Sequence, residues 1–224
     1  MSTNAFATDE DIAIRALADF SLLCPADQLV AAGTDGSFAE FDRWTLFSSG
    51  ADFLTAGVQQ GQIVRLLKPL AQFRPQGTSL VVEAVGPAEI TLRRKGLPAG
   101  HGHPPGPEGG LSGVEFLVVT LAPQIVQASE ELGQRLGIDA DIEGRRLSDL
   151  IDLRHLREVT VLTVLHRLYS AAGRDGGRDD RFSARSRSIL SELERALDGL
   201  KLQWKSPSAR PAMTPFRFGT RLTR

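Results

Sequence analysis

EVTVLTVLHRLYSAAG, residues 158–173, decides how this chain folds. Its β-branched residues suit a strand, but it is too long for one and is broken by His166 and Arg167. In the wider frame of residues 146–174, Leu153, Leu156, Val159, Thr163, His166 and Tyr169 fall along one side of an α-helix. Val161, Leu165, Leu168 and Ala172 widen that stripe. The spacing predicts a helix from a Ser148 N-cap to a C-terminal Gly173. Its longest uncharged run is Val159–Leu165, far short of the roughly 20 apolar residues of a membrane span. A helix with one partner needs an apolar stripe of roughly 100°. This one is wider, which predicts a central helix with neighbours around it.

The flanking sequence supplies those neighbours. In APQIVQASEELGQRLGI, residues 122–138, Pro123 suits a first helical turn, and Ile125, Ala128, Leu132 and Leu136 follow a 3.6-residue repeat before Gly137 stops it. After GRDGGRDD, a second stripe of Ile189, Leu190, Leu193, Ala196, Leu197 and Leu200 predicts a helix capped by Ser183 and antiparallel to the central one. Residues 122–204 therefore read as a three-helix bundle.

Residues 27–121 carry a different rhythm. RWTLFSS, GQIVRLLKP, TSLVVEAV, EITLRR and GVEFLVVTL are short β-branched and aromatic runs bounded by Gly, Pro, Asp or Ser. Val114, Phe116 and Val118 alternate with Glu115 and Leu117. Five or six such strands predict a small all-β barrel or sandwich. Residues 96–110 hold four prolines and six glycines and predict a long exposed loop. Before this module, Thr8 and three acids predict a helix start, with Ile12, Ala16 and Phe20 spaced by four, over about residues 9–21 within an N-terminal segment of 1–26. The fold class is thus α+β, ending in an arm over residues 205–224.

Composition narrows the function. Hydrophobic content of 42% and charged content of 24% are those of an ordinary globular chain. A net charge of −1 argues against a protein that coats nucleic acid, although residues 201–224 carry six cations and no acid. The lone Cys24 excludes an internal disulfide and fits a reducing compartment, and the opening MSTNAFATDEDIAIRAL has no signal-peptide pattern.

The chemical candidates fall one by one. His101 and His103 lack a third ligand nearby, so a solvated loop is the better reading. His155 and His166 return to one helix face but lie about 16 Å apart along it, so no ion bridges them; His166 reads as a polar residue satisfied in the bundle or at a subunit contact. Asp139–Gly144 imitates a calcium loop, but its twelfth position, which needs a bidentate Glu, is Leu150. Cys24 reads as a buried thiol, Asp149 and Asp152 as first-turn helix acids, and no phosphate-cradling glycine loop is present. No catalytic, cofactor or metal set is expected.

Two stretches resemble a known class. FSSGADFLTAGVQQGQIVRLL…TSLVVEAVGPAEITLRR, within residues 47–94, resembles a β-module of tailed-phage structural proteins. Residues 122–204, with the order and lengths of their helices and the exit ALDGLKLQW, resemble the helical core of phage head-tail connectors, also called head-completion or adaptor proteins. The resemblance implies a non-enzymatic protein of the virion neck, made in the host cytoplasm. About a dozen copies, a dodecamer, would form a ring between portal and tail through which packaged DNA passes without specific binding. Asp149, Asp152, Arg154 and Arg157 would then pair between subunits. The arm would bind the portal protein through Trp204, Lys205, Arg210, Phe216, Arg217, Phe218, Arg221 and Arg224, with tail or neck proteins on the other face and no membrane involved. The alternatives are a tail-completion or baseplate ring protein, or a carbohydrate- or peptide-binding module using the barrel loops.

Overall fold

The computed structural model describes residues 5–16, 19–69, 73, 78–98, 107–138, 147–174, 180–205 and 214–215. The chain divides into two compact units, one of residues 9–121 and one of residues 1–8 with 122–224. The architecture is α+β, and the barrel-or-sandwich alternative resolves to a barrel.

In the first unit six strands close on themselves: β1 (Leu29–Phe38), β2 (Thr45–Phe47), β3 (Ile63–Lys68), β4 (Thr78–Val85), β5 (Glu89–Arg93) and β6 (Val114–Val119), in the order β1-β2-β5-β4-β3-β6 and back to β1. All neighbours run antiparallel. The predicted alternation holds in β6, where Val114, Phe116 and Val118 are buried and Glu115 and Leu117 are less so. The interior is filled by Phe38, Leu46, Phe53, Leu66, Val82, Ile90, Leu92 and Phe116 among others. It is a packed core and not a channel.

β1 is the strand that pattern reading misses, because LVAAGTDGSF carries two glycines and an Asp where strand formers would be expected. The glycines answer to a neighbour: a Cβ at Gly33 would lie 2.6 Å from the Phe116 ring, and one at Gly36 would lie 2.8 Å from the Val114 carbonyl oxygen. The pairing register with β6 shifts between these two glycines. Asp35, at that irregularity, accepts hydrogen bonds from Ser48 Oγ (2.8 Å), Ser49 Oγ (3.1 Å) and Gly50 N–H (2.7 Å). Led by the Ser48 bond, these hold its carboxyl down to about 2.

The N-terminal acids do more than start a helix. The expected single helix is two short ones, α1 (Asp9–Arg15) and α2 (Phe20–Leu23). Asp9, only 6% exposed, accepts the Leu121 N–H and the Thr120 hydroxyl, each at 2.7 Å. Burial still leaves its carboxyl above the ordinary value, against the lowering effect of both bonds. Glu10 forms a two-point pair with Arg93 at 2.7 and 2.6 Å and also accepts Gly96 N–H at 2.8 Å. These two residues fasten α1 to the ends of β6 and β5.

The second unit holds α3 (Ala122–Leu136), α4 (Arg154–Arg174) and α5 (Asp180–Asp198). α3 buries the predicted Ile125, Ala128, Leu132 and Leu136. It stops where expected: Gly137 has a φ of 64°, with Ile138 N–H bonding Gly133 O and Gly137 N–H bonding Gln134 O. α4 packs against both α5 and α3. Two predicted boundaries move. α4 begins after Asp152, whose carboxylate accepts the Arg154 N–H at 2.8 Å, while Ser148 lies in a separate 3-10 turn, Leu147–Asp149. α5 begins at Asp180, so Ser183 is inside it and not its cap.

The expected breadth of α4 is present. Val159, Thr160, Val161 and Leu162 are all buried, and four consecutive helical residues about 100° apart sweep the whole circumference. Thr160 Oγ1 has no hydrogen-bond partner among the described residues, although the residue is fully buried. Thr160→Val keeps the shape and removes an unsatisfied hydroxyl. It should raise unfolding stability by about 1 kcal/mol, read from a urea melt, and a loss of stability would show that the hydroxyl is in fact bonded.

Candidate functional site

Among the described residues, those expected to meet partners gather at the start of α4. After α5 the chain leaves through Gly199 and Leu200 and becomes a strand, β7 (Lys201–Leu202), continuing to Lys205. Leu202 points inward and Lys201, Gln203 and Lys205 outward, the period of two that pins a strand by one greasy edge. Its neighbour is the segment just before α4: Ile151 N–H bonds Gln203 O at 2.9 Å, Lys205 N–H bonds Asp149 O at 2.6 Å, and Leu150 and Trp204 form a bridge pair. Lys205 Nζ reaches Ser148 O at 3.0 Å. A two-residue strand, β8 (Thr214–Pro215), pairs with β7.

Trp204 and Lys205 are therefore fixed to their own chain at the root of the arm, not carried freely within it. Trp204 is half-buried and Lys205 exposed. Arg210, Phe216, Arg217, Phe218, Arg221 and Arg224 lie outside the described residues, as do His101, His103 and Asp139–Gly144. The Asp152–Arg154 pair expected between subunits is formed within the chain, at 2.7 Å, and Arg154 with the helix start it caps holds the Asp152 carboxyl down to about 2. Asp149 contributes its carbonyl to the strand pairing, and Arg157 is exposed one turn into α4. Beside them stand two exposed apolar side chains, Ile151 at 55% and Leu153 at 37%.

A second cluster went unseen in the sequence. His166 and Ser170, one turn apart on α4, meet Ser186 from α5: Ser186 Oγ is 3.1 Å from His166 Nδ1 and 2.7 Å from Ser170 Oγ, and Ser186 O is 3.3 Å from the same Nδ1. Ser186 is buried. His166 is thus satisfied inside the helical unit, the first of its two expected roles. Its neighbour Arg167 forms an ion pair with Glu131 of α3, and the bond from Arg167, ahead of burial, sets that carboxyl below its ordinary value. A cleft of about 250 Å³ opens here, lined by His166, Arg167, Ser170 and Ala171. The one signal the sequence carries for it is the i, i+4 spacing of His166 and Ser170; Ser186 needs the helix register.

Cys24 donates its S–H to Phe20 O at 3.3 Å, and burial pushes the thiol up to about 11, against the influence of Arg65. That is an unreactive thiol. Among the described residues no group of three or more His, Cys, Asp or Glu side chains could hold a metal ion, and no helix is long and apolar enough to cross a membrane. No family model, curated protein or solved structure matches the chain.

Proposed function

We propose that this chain is a ring-forming, non-enzymatic structural protein of the virion neck, seated between portal and tail. Its helices would form a three-helix adaptor core, with residues 206–224 as a basic docking arm. The observation that carries the reading is the surface where Ile151 and Leu153 stand beside the pinned 201–205 strand. Exposed apolar side chains of this kind, rimmed by charges, suit a contact that a neighbouring copy completes. The breadth of α4 adds nothing to this, because it is already buried in the single chain. The resemblance of residues 47–94 to a β-module of tailed-phage structural proteins, and of residues 122–204 to the helical core of head-tail connectors, supports a place in the neck, and a tail-completion or baseplate ring differs only in that place. A carbohydrate- or peptide-binding module would have to use the barrel loops, because side chains fill the barrel interior.

Microscopy of purified particles should find the protein at the portal vertex, and finding it only free in infected cells would sink the assignment. Two variants separate the two contacts. Ile151→Asp, at an exposed position, should change monomer stability by no more than about 0.5 kcal/mol while preventing ring formation. Removing residues 206–224 should leave rings intact but unable to join the portal. Rings that form normally with Ile151→Asp argue against this subunit contact.

A further inference from the structure

We propose that the cleft on α4 is a binding site for an organic phosphate monoester. The inference does not depend on the neck assignment. Its first support is convergence. An imidazole, a guanidinium and a serine hydroxyl, from three positions within two turns of one helix, line the same opening. The guanidinium brings charge and several N–H donors to this opening, with the imidazole and the hydroxyl beside it, a set suited to the several acceptor oxygens of a tetrahedral oxyanion.

The second support is that neighbouring helices hold these groups in place. His166 Nδ1 faces Ser186 on α5, which turns the ring so that its other nitrogen, Nε2, points away from α5. Ser170 is held through its oxygen at 2.7 Å from Ser186 Oγ. Arg167 is tied to Glu131 of α3 through Nη2, so the planar guanidinium is oriented before any ligand arrives. A site whose donors are already fixed loses little side-chain freedom on binding.

The third support is shape. At about 250 Å³ the cleft is larger than one oxyanion, and its walls are largely alkyl, with the Ala171 methyl leaving the room. That favours a phosphate carried on an apolar body over the bare ion. Glu131 is an opposing charge already paired with Arg167, and it competes with the ligand for the same guanidinium.

That competition provides the test. Phenyl phosphate is titrated into the full chain while the imidazole proton signals are followed by magnetic resonance. The chain has four histidines, and His166→Gln identifies the relevant signal. A saturable shift of that signal at millimolar ligand is expected. Phenol should produce none, and inorganic phosphate should compete only at higher concentration. Arg167→Gln should weaken binding about tenfold, the loss of one charge-assisted contact. Because that variant also strips Glu131 of its partner, Glu131→Gln gives the decisive reading: freeing the guanidinium should tighten binding several-fold, which a purely structural ion pair would not do. No saturable shift, or a Glu131→Gln variant that binds no better than the parent, overturns the proposal.

Discussion

Phe116→Ala should cost about 3–5 kcal/mol of stability, the largest single loss expected in the barrel. Phe116 is fully buried in β6, its ring centroid 5.7 Å from that of Phe53 at an angle of 52°. Truncation removes the transfer energy of the ring, its aromatic contact and the wall of the space that Gly33 leaves open. A closed barrel cannot collapse far to fill that space, because every strand is held on both sides. For a domain with about 5–15 kcal/mol in total, that is a large share of the margin. The cause can be isolated with a second glycine variant. Gly33→Ala alone places a methyl 2.6 Å from the Phe116 ring and should be destabilising, whereas in a Phe116→Ala background the same methyl enters vacated space. Additive losses in that cycle, read by urea denaturation, would refute the packing account of β1.

Arg93→Ala carries the second largest effect. The Arg93 and Glu10 side chains are 14% and 17% exposed, and Arg93 also donates to Leu97 O at 2.9 Å. Removing one member of a buried pair costs about 3–5 kcal/mol, and partial access to water reduces this to about 2–3. A pH signature accompanies the loss. Burial alone would raise the Glu10 carboxyl, but the Arg93 bonds, the Gly96 N–H and the Arg93 charge outweigh it and leave the group below 4.5. A carboxyl lowered on folding stabilises the native state above its unfolded value, and that contribution disappears as pH falls through the folded value. The parent should therefore lose stability below about pH 4.5, and Arg93→Ala should lose less over the same window. Asp35 and Asp152 also titrate at low pH, so the difference between parent and variant is the measurement that counts. Parallel curves would show that the pair contributes nothing.

The parts of this fold that could be read from sequence are those governed by neighbours along the chain. TSLVVEAV became β4 residue for residue, and Gly137 ended α3 by the hydrogen bonds its position suggested. β1 was hidden because its composition answers to Phe116, some eighty residues away, and not to local strand propensity. Ser148 and Asp152 are both good caps four residues apart, and what separates them is that 149–151 is drawn into pairing with 203–205. The same long-range pairing placed Trp204 and Lys205. Asp9 and Glu10 looked like helix-start acids because their true partners, Thr120, Leu121 and Arg93, have no spacing rule connecting them to residue 9.

The unbroken circuit of barrel strands limits how copies of this chain can meet at high concentration. A sheet with two open sides offers rows of unused amides to any passing extended chain. Here every barrel strand already has both of its neighbours, so copies held at high local density cannot zip together through their barrels. The barrel can meet other molecules only through side chains, and exchange of its strands between copies would first require the whole cylinder to come apart.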